Sequence, residues 1–237
     1  MSKYGQFCPV ARALEVLGDR WTLLIIRDML LGTTQFNDLE RGLPGISRAL
    51  LSARLRQLQQ AGVIEKRINP TGRKTTEYQL TEAGRDLQDV IGSLMMWGGT
   101  WAFGEPTPEE LDPILLMWWL RKRVQVGMLP DRQIVVQFDL SGGRVPAGKG
   151  HAWLLLTAAD VTLCLTDPGF EVDVLVTADM TTFFKLWWAE ISYQEALSGT
   201  HFSVDGLPAM TAGFPIWFGW NVPQRSISSL RKLHQSA

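Results

Sequence analysis

The 237-residue chain is 46% hydrophobic and 20% charged, proportions typical of a soluble globular protein with an ample core in one or two domains. Its net charge of −1 conceals an asymmetry, because residues 1–104 hold 13 Lys/Arg against 10 Asp/Glu, whereas residues 105–237 hold 10 against 14. Two distant cysteines exclude a disulfide framework and a zinc pattern. We therefore expect a protein of the reducing cytoplasm, with no signal peptide and no apolar run long enough to span a bilayer.

Glycine-bounded segments open the chain and predict a series of short helices. The helices are expected at residues 8–17, 21–31 and 35–41. Pro9 suits the opening turn of the first helix, and Gly18 ends it. Asp19 is in position to cap the second helix. The third helix leads into a turn at 42–45, which consists of Gly, Leu, Pro and Gly.

Residues 45–62 are the stretch around which the chain is organised, and they predict an amphipathic helix. Ser47 can cap its start, and Gly62 supplies the break at its end. An apolar stripe is formed by Leu51, Leu55 and Leu58. The opposite face is small, polar and basic, without a carboxylate: Ala49, Ser52, Ala53, Arg56 and Gln57. We interpret this segment as the recognition helix of a helix-turn-helix.

After Gly62 the apolar pattern changes to a period of two, which predicts a hairpin. Strands are expected at 63–68 and 75–80, joined by a turn at 69–72, and this hairpin is the wing of a winged helix. Thr81 can cap a helix that runs to about Phe103. Its apolar seam can cover the domain's own core or meet a second subunit: Leu87, Ile91, Leu94, Gly98 and Trp101.

Basic residues concentrate around the expected recognition helix and wing. Residues 41–74 contain eight Lys/Arg and a single acidic residue, Glu65, which indicates an anionic partner. The alternative is that these arginines form only a solvated helix face. With the wing, we predict binding to double-stranded DNA. The candidate DNA-binding residues are Ser47, Arg48, Ser52, Arg54, Arg56, Arg73 and Lys74. We assign Arg73 and Lys74 to phosphates beside the minor groove. Positions nearer the bases are assigned to Ser47, Arg48, Ser52 and Arg56.

Six motifs in register give residues 5–101 a resemblance to the HxlR-type winged-helix regulators of bacteria. They are Cys8-Pro9-Val10, Gly18-Asp19-Arg20-Trp21-Thr22-Leu23-Leu24-Ile25, Phe36-Asn37-Asp38-Leu39, Gly45-Ile46-Ser47, Leu55-x-x-Leu58 and Glu77-Tyr78-x-Leu80-Thr81-x-x-Gly84. The resemblance implies a homodimer formed through the first and last helices of the domain, bound to a roughly palindromic operator. The chain departs from typical members in length, because it continues for about as long again after the domain.

Cys8 is a candidate redox residue, since some HxlR-type regulators use a cysteine at this position to sense thiol-reactive compounds. Sensing requires an exposed thiol with a depressed pKa, and Arg12 is the nearby cation that the sequence offers. If Cys8 senses such compounds, the protein is a thiol-responsive regulator whose second domain is structural. The alternative is that Cys8 is a small, inert packing residue.

The second half of the chain, residues 105–237, follows a Pro-rich linker and alternates strand and helix patterns. Helices are expected at 109–126, 180–189 and 192–197, and strands at 133–140, 151–157, 161–166, 170–177 and 202–204. The run from Val172 to Gly206 resembles the end of a sterol-carrier-protein-like domain, which implies an α+β layer with a helix-covered apolar cavity. Seven of the ten tryptophans lie beyond residue 105, a distribution that suits an aromatic-lined pocket, ordinary core or a subunit interface. The candidate pocket residues are Trp118, Trp153, Phe183 and Trp187.

The predicted fold class is thus α+β: an N-terminal winged helix-turn-helix domain at 1–104 and a sterol-carrier-like layered domain at 105–237. His151, His201 and His234 are not at metal-ligand spacing, and the glycines at 142–150 do not form a phosphate loop. We therefore expect no catalytic residue, metal or cofactor. The expected function is that of a regulator modulated by a hydrophobic small molecule, without a membrane partner. Besides a ligand-responsive and a thiol-responsive regulator, the third functional class is an enzyme fused to a DNA-binding module.

Overall fold

The computed structural model of the chain describes residues 4–68, 76–145 and 150–222. Two units are distinguished by their internal contacts, Met1–Met95 and Met96–Ala237. The division falls inside a continuous helix, nine residues before the linker at which the sequence places the domain boundary.

Four helices open the first unit: α1 (Pro9–Leu17), α2 (Thr22–Leu30), α3 (Phe36–Gly42) and α4 (Arg48–Gln60). Pro9 occupies the first turn of α1, as the sequence predicts. At Gly18 a Cβ atom would lie 2.6 Å from the carbonyl oxygen of Leu14, so only glycine fits this tight exit from the helix. The expected cap of α2 is wrong: the cap position belongs to Trp21, whose φ of 80° is left-handed, and the carboxylate of Asp19 binds Arg54 instead.

The core of the first unit is formed by the inward faces of these helices and the start of the wing. Its fully buried members include Ile25, Ile26, Leu39, Leu43, Leu51, Leu55, Leu58 and Ile64. The predicted apolar stripe of α4 is thereby confirmed. Leu24 of α2 lies outside this core and is 41% exposed. The α4 helix is fixed along its whole length because its stripe is anchored in the centre of this core.

The wing is the antiparallel pair β1 (Ile64–Ile68) and β2 (Thr76–Leu80), in which Ile64 faces Leu80. The backbone N–H of Tyr78 donates to the carbonyl of Thr34 at 2.7 Å, which ties β2 to the segment before α3. The expected turn at 69–72 lies outside the described residues.

The helix expected to run from Thr81 to Phe103 is two helices, α5 (Glu82–Arg85) and α6 (Gln88–Trp101). Thr81 caps α5 as predicted, because its hydroxyl accepts from the N–H of Gly84 at 3.2 Å. Gly84 is required there, since a Cβ would meet the carbonyl oxygen of Val63 at 2.2 Å. The chain therefore packs closely against the wing at Gly84, before α6 begins.

The second unit contains α7 (Pro113–Arg123), α8 (Met180–Trp187), α9 (Tyr193–Ser198) and α10 (Pro208–Trp217), with a short 3-10 helix at Val126–Met128. The sequence expects α7 to begin at residue 109, but the side chain of Asp112 caps it by accepting from the N–H groups of Ile114 and Leu115. Helix α8 begins at the residue that the sequence predicts, after its cap Asp179, and α9 begins one residue later than expected, after its cap Ser192. The sequence does not predict α10.

Five strands form one sheet in the order β5-β4-β3-β6-β7. Their bounds are β3 (Ile134–Ser141), β4 (His151–Leu156), β5 (Val161–Cys164), β6 (Val174–Asp179) and β7 (Phe202–Gly206). The hairpin of β4 and β5 is confirmed, and the central strand β3 runs parallel to β6. The strand expected at 170–177 begins four residues late. Asp173 precedes it and accepts from Arg132 at 2.7 Å and from the N–H of Val135 at 2.8 Å.

The two faces of this sheet differ in polarity. One face carries a continuous apolar layer that packs with α7, α8, α9 and α10, and the stacked rings of Phe138 and Phe183 lie near its centre. The other face presents a chain of polar groups on β3 and β4. The fold class is therefore α+β with helices on one face of a mixed sheet. Within 4–68, 76–145 and 150–222, no helix combines the length and the apolar character needed to cross a bilayer.

Candidate nucleic-acid interface

The helix α4 is the element on which the predicted DNA contacts are placed. Ser47 caps it as expected, because its hydroxyl oxygen accepts from the N–H of Leu50 at 3.2 Å. Ser47 is exposed, so its hydroxyl hydrogen is available for a further acceptor. Gly62, with a φ of +73°, follows the last turn and leads directly into the wing. Gly62 therefore lies in the short turn that joins α4 to the wing.

The side of α4 that flanks its buried stripe carries Arg48, Ser52 and Arg56, spaced four residues apart and therefore one above the other. Ala49 and Ala53 lie next to them, opposite the buried leucines. Arg48 and Arg56 are exposed and Ser52 is partly buried. This is a small, polar surface with no acidic residue in the helix, which is the kind of surface that fits a groove lined by phosphates.

Arg48 is held by helix α3 and is not a free cation. Its guanidinium pairs with the carboxylate of Glu40, donates to Asn37 Oδ1 at 3.1 Å and lies over the ring of Phe36 at 4.9 Å. The side chain remains 63% exposed. The position of Arg48 is therefore set by the protein, and its charge is partly neutralised before any ligand approaches.

Arg54 differs more strongly from the sequence expectation. Its guanidinium pairs with Asp19 at 3.1 Å, donates to the carbonyl of Arg20 at 3.0 Å and donates to Gln57 Oε1 at 2.8 Å. Only 16% of the side chain is exposed. Arg54 is thus committed to the segment between α1 and α2, and it positions α4. The sequence could not show this, because Asp19 is 35 residues away.

Arg56 lies exposed on the same helix and has no hydrogen bond or ion pair within the described residues. Lys66, exposed on β1, likewise has no partner in the parts of the chain that the structure describes. The sequence analysis counted Lys66 in the basic segment but did not select it. Arg73 and Lys74, selected for the tip of the wing, lie outside the described residues.

Cys8 is partly buried and immediately precedes α1. Arg12, the cation expected to stabilise its thiolate, donates to the carboxylate of Glu15 at 3.0 Å. The guanidinium is therefore engaged by an acid one turn further along the helix, and no cation is directed at the sulfur by the described residues.

The four candidate pocket residues of the second unit do not come together. Phe183 lies in the helix-covered layer, whereas Trp153 lies on the other face of the sheet and donates its Nε1–H to Gln137 at 3.2 Å. Trp118 is buried on α7 with Arg121 over its ring at 3.9 Å, and Trp187 packs at the end of α8. Among the described residues, no group of three His, Cys, Asp or Glu could hold a metal ion.

Comparison with known proteins supports the assignment of the first unit. A family model of HxlR-like helix-turn-helix proteins matches residues 16–105. YvaP, an uncharacterized HTH-type transcriptional regulator of Bacillus subtilis, is 33% identical over 98 residues, which cover 41% of this chain and 91% of YvaP. An uncharacterized HTH-type transcriptional regulator of Mycobacterium tuberculosis is 46% identical over 100 residues, or 42% of this chain. The match spans only 61% of that mycobacterial protein.

Among solved structures, the reduced form of the transcriptional regulator YodB from B. subtilis is similar at 32% identity, with 41% of this chain and 96% of that chain covered and a TM-score of 0.37. The family model covers most of the first unit and the beginning of the second.

Proposed function

Because the chain belongs to the family of HxlR-like helix-turn-helix proteins, we propose that it is a transcriptional regulator that binds a palindromic DNA operator as a homodimer. The observation that carries this proposal is helix α4: it is capped, anchored by three buried leucines, and free of carboxylates on its outward side. In a winged helix, such a helix lies in the major groove.

The roles of the individual side chains follow from their surroundings. Arg56, which has no ion pair within the described residues, contacts a base edge, where a bidentate pair with guanine discriminates by about 1–3 kcal/mol. Ser47, Arg48 and Ser52 lie along the same side of the helix and contact bases or adjacent phosphates. Lys66 on β1 contacts phosphates, as do Arg73 and Lys74, which lie outside the described residues, and each cation releases a condensed counterion.

Dimer formation is supported by the apolar side chains that α1 and α6 leave exposed. They include Val10 and Leu14 on α1 and Leu94, Trp97 and Trp101 on α6, with Trp97 61% and Trp101 63% exposed. A soluble monomer rarely presents so many large apolar side chains, which instead mark a protein interface. Two copies joined there place their α4 helices in successive major grooves, about 34–36 Å apart.

We further propose that the second unit is a sterol-carrier-like domain that binds a hydrophobic effector. Supporting this is its architecture, in which helices cover one apolar, aromatic-rich face of a sheet. An effector regulates DNA binding only if it binds one dimer geometry better than another. The proposed action is therefore binding rather than catalysis, in the cytoplasm and without a membrane partner.

Selection from a random duplex library with the purified full-length chain tests the DNA-binding proposal. We expect an inverted repeat whose half-sites are centred about one helical turn apart, and light scattering should give the mass of a dimer. Affinity for the selected duplex should fall steeply with salt, because several phosphates are contacted. A monomer that enriches no sequence at low salt would contradict the proposal.

A further inference from the structure

Aromatic side chains collect where the end of α7 meets the end of α8. The rings of Trp119 and Trp187 are stacked with centroids 6.1 Å apart, and Trp188 packs edge-on to both, at 6.3 and 6.4 Å. All three side chains are partly exposed. We call these three residues the tryptophan cluster. Of the three, the sequence analysis had selected only Trp187 as a pocket residue.

Arg123 borders the tryptophan cluster one helical turn after Trp119 on α7. Its guanidinium carbon lies 5.1 Å from the centroid of the Trp187 ring and 5.7 Å from that of Trp220. One N–H donates to the carbonyl of Trp187 at 3.3 Å. Arg123 is therefore fixed between two indole rings by contacts to their faces and to one backbone oxygen.

No carboxylate pairs with Arg123 within the described residues, although it is partly buried. Two other partly buried arginines have acids close by: Asp28 lies 2.8 Å from Arg27, and Asp19 lies 3.1 Å from Arg54. Burial lowers the pKa of Arg123, which means that its surroundings disfavour the charged form. A cation in such surroundings gains stability from an anion, and the described residues do not provide one.

The geometry leaves the guanidinium with donors to spare. Arginine has five N–H groups, and Arg123 uses one of them on Trp187. The remaining edge can donate two parallel hydrogen bonds to a carboxylate. The indole faces beside it offer an apolar surface for the rest of the same molecule.

We propose that Arg123 and the tryptophan cluster form a binding site for an organic monocarboxylate with an apolar chain or ring. This inference rests on the proposed effector-binding function of the second unit and names the chemical class of the effector. The site takes a single negative charge because it provides a single unpaired cation. The nearby Lys185 is paired with Glu105 at 3.6 Å, and Lys122 lies over the ring of Trp118 at 5.8 Å.

Isothermal titration of the full-length chain with matched acids and alcohols tests the proposal. The probes are decanoate and 1-decanol, and 2-naphthoate and 2-naphthol, with quenching of tryptophan fluorescence as a second readout. In the wild type each acid should bind at least about tenfold more tightly than its neutral partner, because charge-assisted hydrogen bonds form only with the carboxylate.

The variant Arg123→Gln should lose about 10- to 100-fold in affinity for the acids and change little for the alcohols. Arg123→Lys keeps the charge without the planar fork and should fall between the two. Arg121→Gln is the matched control, since Arg121 lies on the same helix and stacks on a different indole, that of Trp118. It should bind all four probes like the wild type. Thermal melting identifies any variant that fails to fold, and Arg123→Lys then carries the test.

Three outcomes are distinguished. A preference for acids that disappears in Arg123→Gln supports the site. Equal binding of acids and alcohols, or an acid preference that survives in Arg123→Gln, overturns the site but leaves an apolar effector in the second unit. Binding of none of the four probes overturns both the site and the effector proposal.

Discussion

Substitution of two arginines that lie two residues apart on α4 should affect two different properties of the protein, its stability and its DNA affinity. Arg54 is enclosed by contacts within the first unit, whereas Arg56 is exposed and unpaired among the described residues. Arg54→Ala should therefore lower stability, and Arg56→Ala should lower specific DNA affinity. Each variant is the control for the other, because both remove one positive charge from the same helix.

The magnitude for Arg54 follows from its three partners. Substitution by alanine removes its bonds to Asp19, the carbonyl of Arg20 and Gln57, at 2.8–3.1 Å. Asp19 is 47% exposed, so water compensates for part of its loss. We expect the free energy of unfolding to fall by about 2–3 kcal/mol, the range for losing hydrogen bonds of a largely buried charged group. Arg56→Ala should stay within about 0.5 kcal/mol of the wild type.

Urea unfolding followed by circular dichroism measures the stabilities, and fluorescence anisotropy with the selected and a scrambled duplex measures the two affinities. Arg56→Ala should weaken binding to the selected duplex by about 10- to 100-fold, with a much smaller loss on the scrambled duplex. Equal losses on both duplexes would assign Arg56 to a phosphate. An Arg54→Ala variant as stable as the wild type would refute the positioning role of Arg54.

Three further results are expected. Ser47→Ala should cost about 1 kcal/mol of stability in urea, because the orphan N–H of Leu50 loses its acceptor; an unchanged midpoint would count against the cap. Burial acts to raise the pKa of Asp173, but its hydrogen bonds and the charge of Arg132 prevail, so the folded pKa lies below the ordinary value of an aspartate. This stabilisation is present above the unfolded pKa and is lost as pH falls through the folded pKa. The urea midpoints of wild type and Asp173→Asn should therefore converge below about pH 4, and a constant gap down to pH 2 would be inconsistent with the pairing. Cys8→Ser should leave the loss of DNA binding after treatment with an electrophile unchanged, since Arg12 is engaged by Glu15; protection by the substitution would favour the thiol-sensing alternative.

The elements that the sequence predicts well are those whose signals are local. The cap at Ser47, the break at Gly62 and the leucine stripe between them are contained in 16 residues, and together they determine α4. Helix α8 likewise starts at the predicted residue, directly after its cap Asp179. In each case a side chain bonds to a backbone N–H within three residues, so no distant partner is needed.

The predictions that are wrong concern residues whose local structure depends on a partner distant in the sequence. Asp19 has the sequence of a cap, but it pairs with Arg54 from another helix. Residues 170–173 alternate as a strand does, yet Asp173 is bound by Arg132 and Val135, and pairing with β3 begins only afterwards. The helix α10 was not recognised because it contains Pro215, which is rare inside helices.

The candidate interface was predicted in position but not in detail. Residue types along α4 indicate which side chains point outward, but not which cations are already neutralised. Glu40 and Asp19, from two other segments, occupy Arg48 and Arg54 and leave Arg56 as the unpaired arginine of the helix. The sequence likewise could not show that Arg123 has no carboxylate partner among the described residues, because a missing partner corresponds to no pattern of residues.

Protection of guanine N7 from methylation by dimethyl sulfate tests the central claim most directly, because this atom lies in the major groove. On the selected duplex, the wild-type chain should protect guanines in two groups about one helical turn apart, and Arg56→Ala should lose protection in both groups. Bound DNA whose guanines all remain reactive at N7 would show that α4 does not enter the major groove.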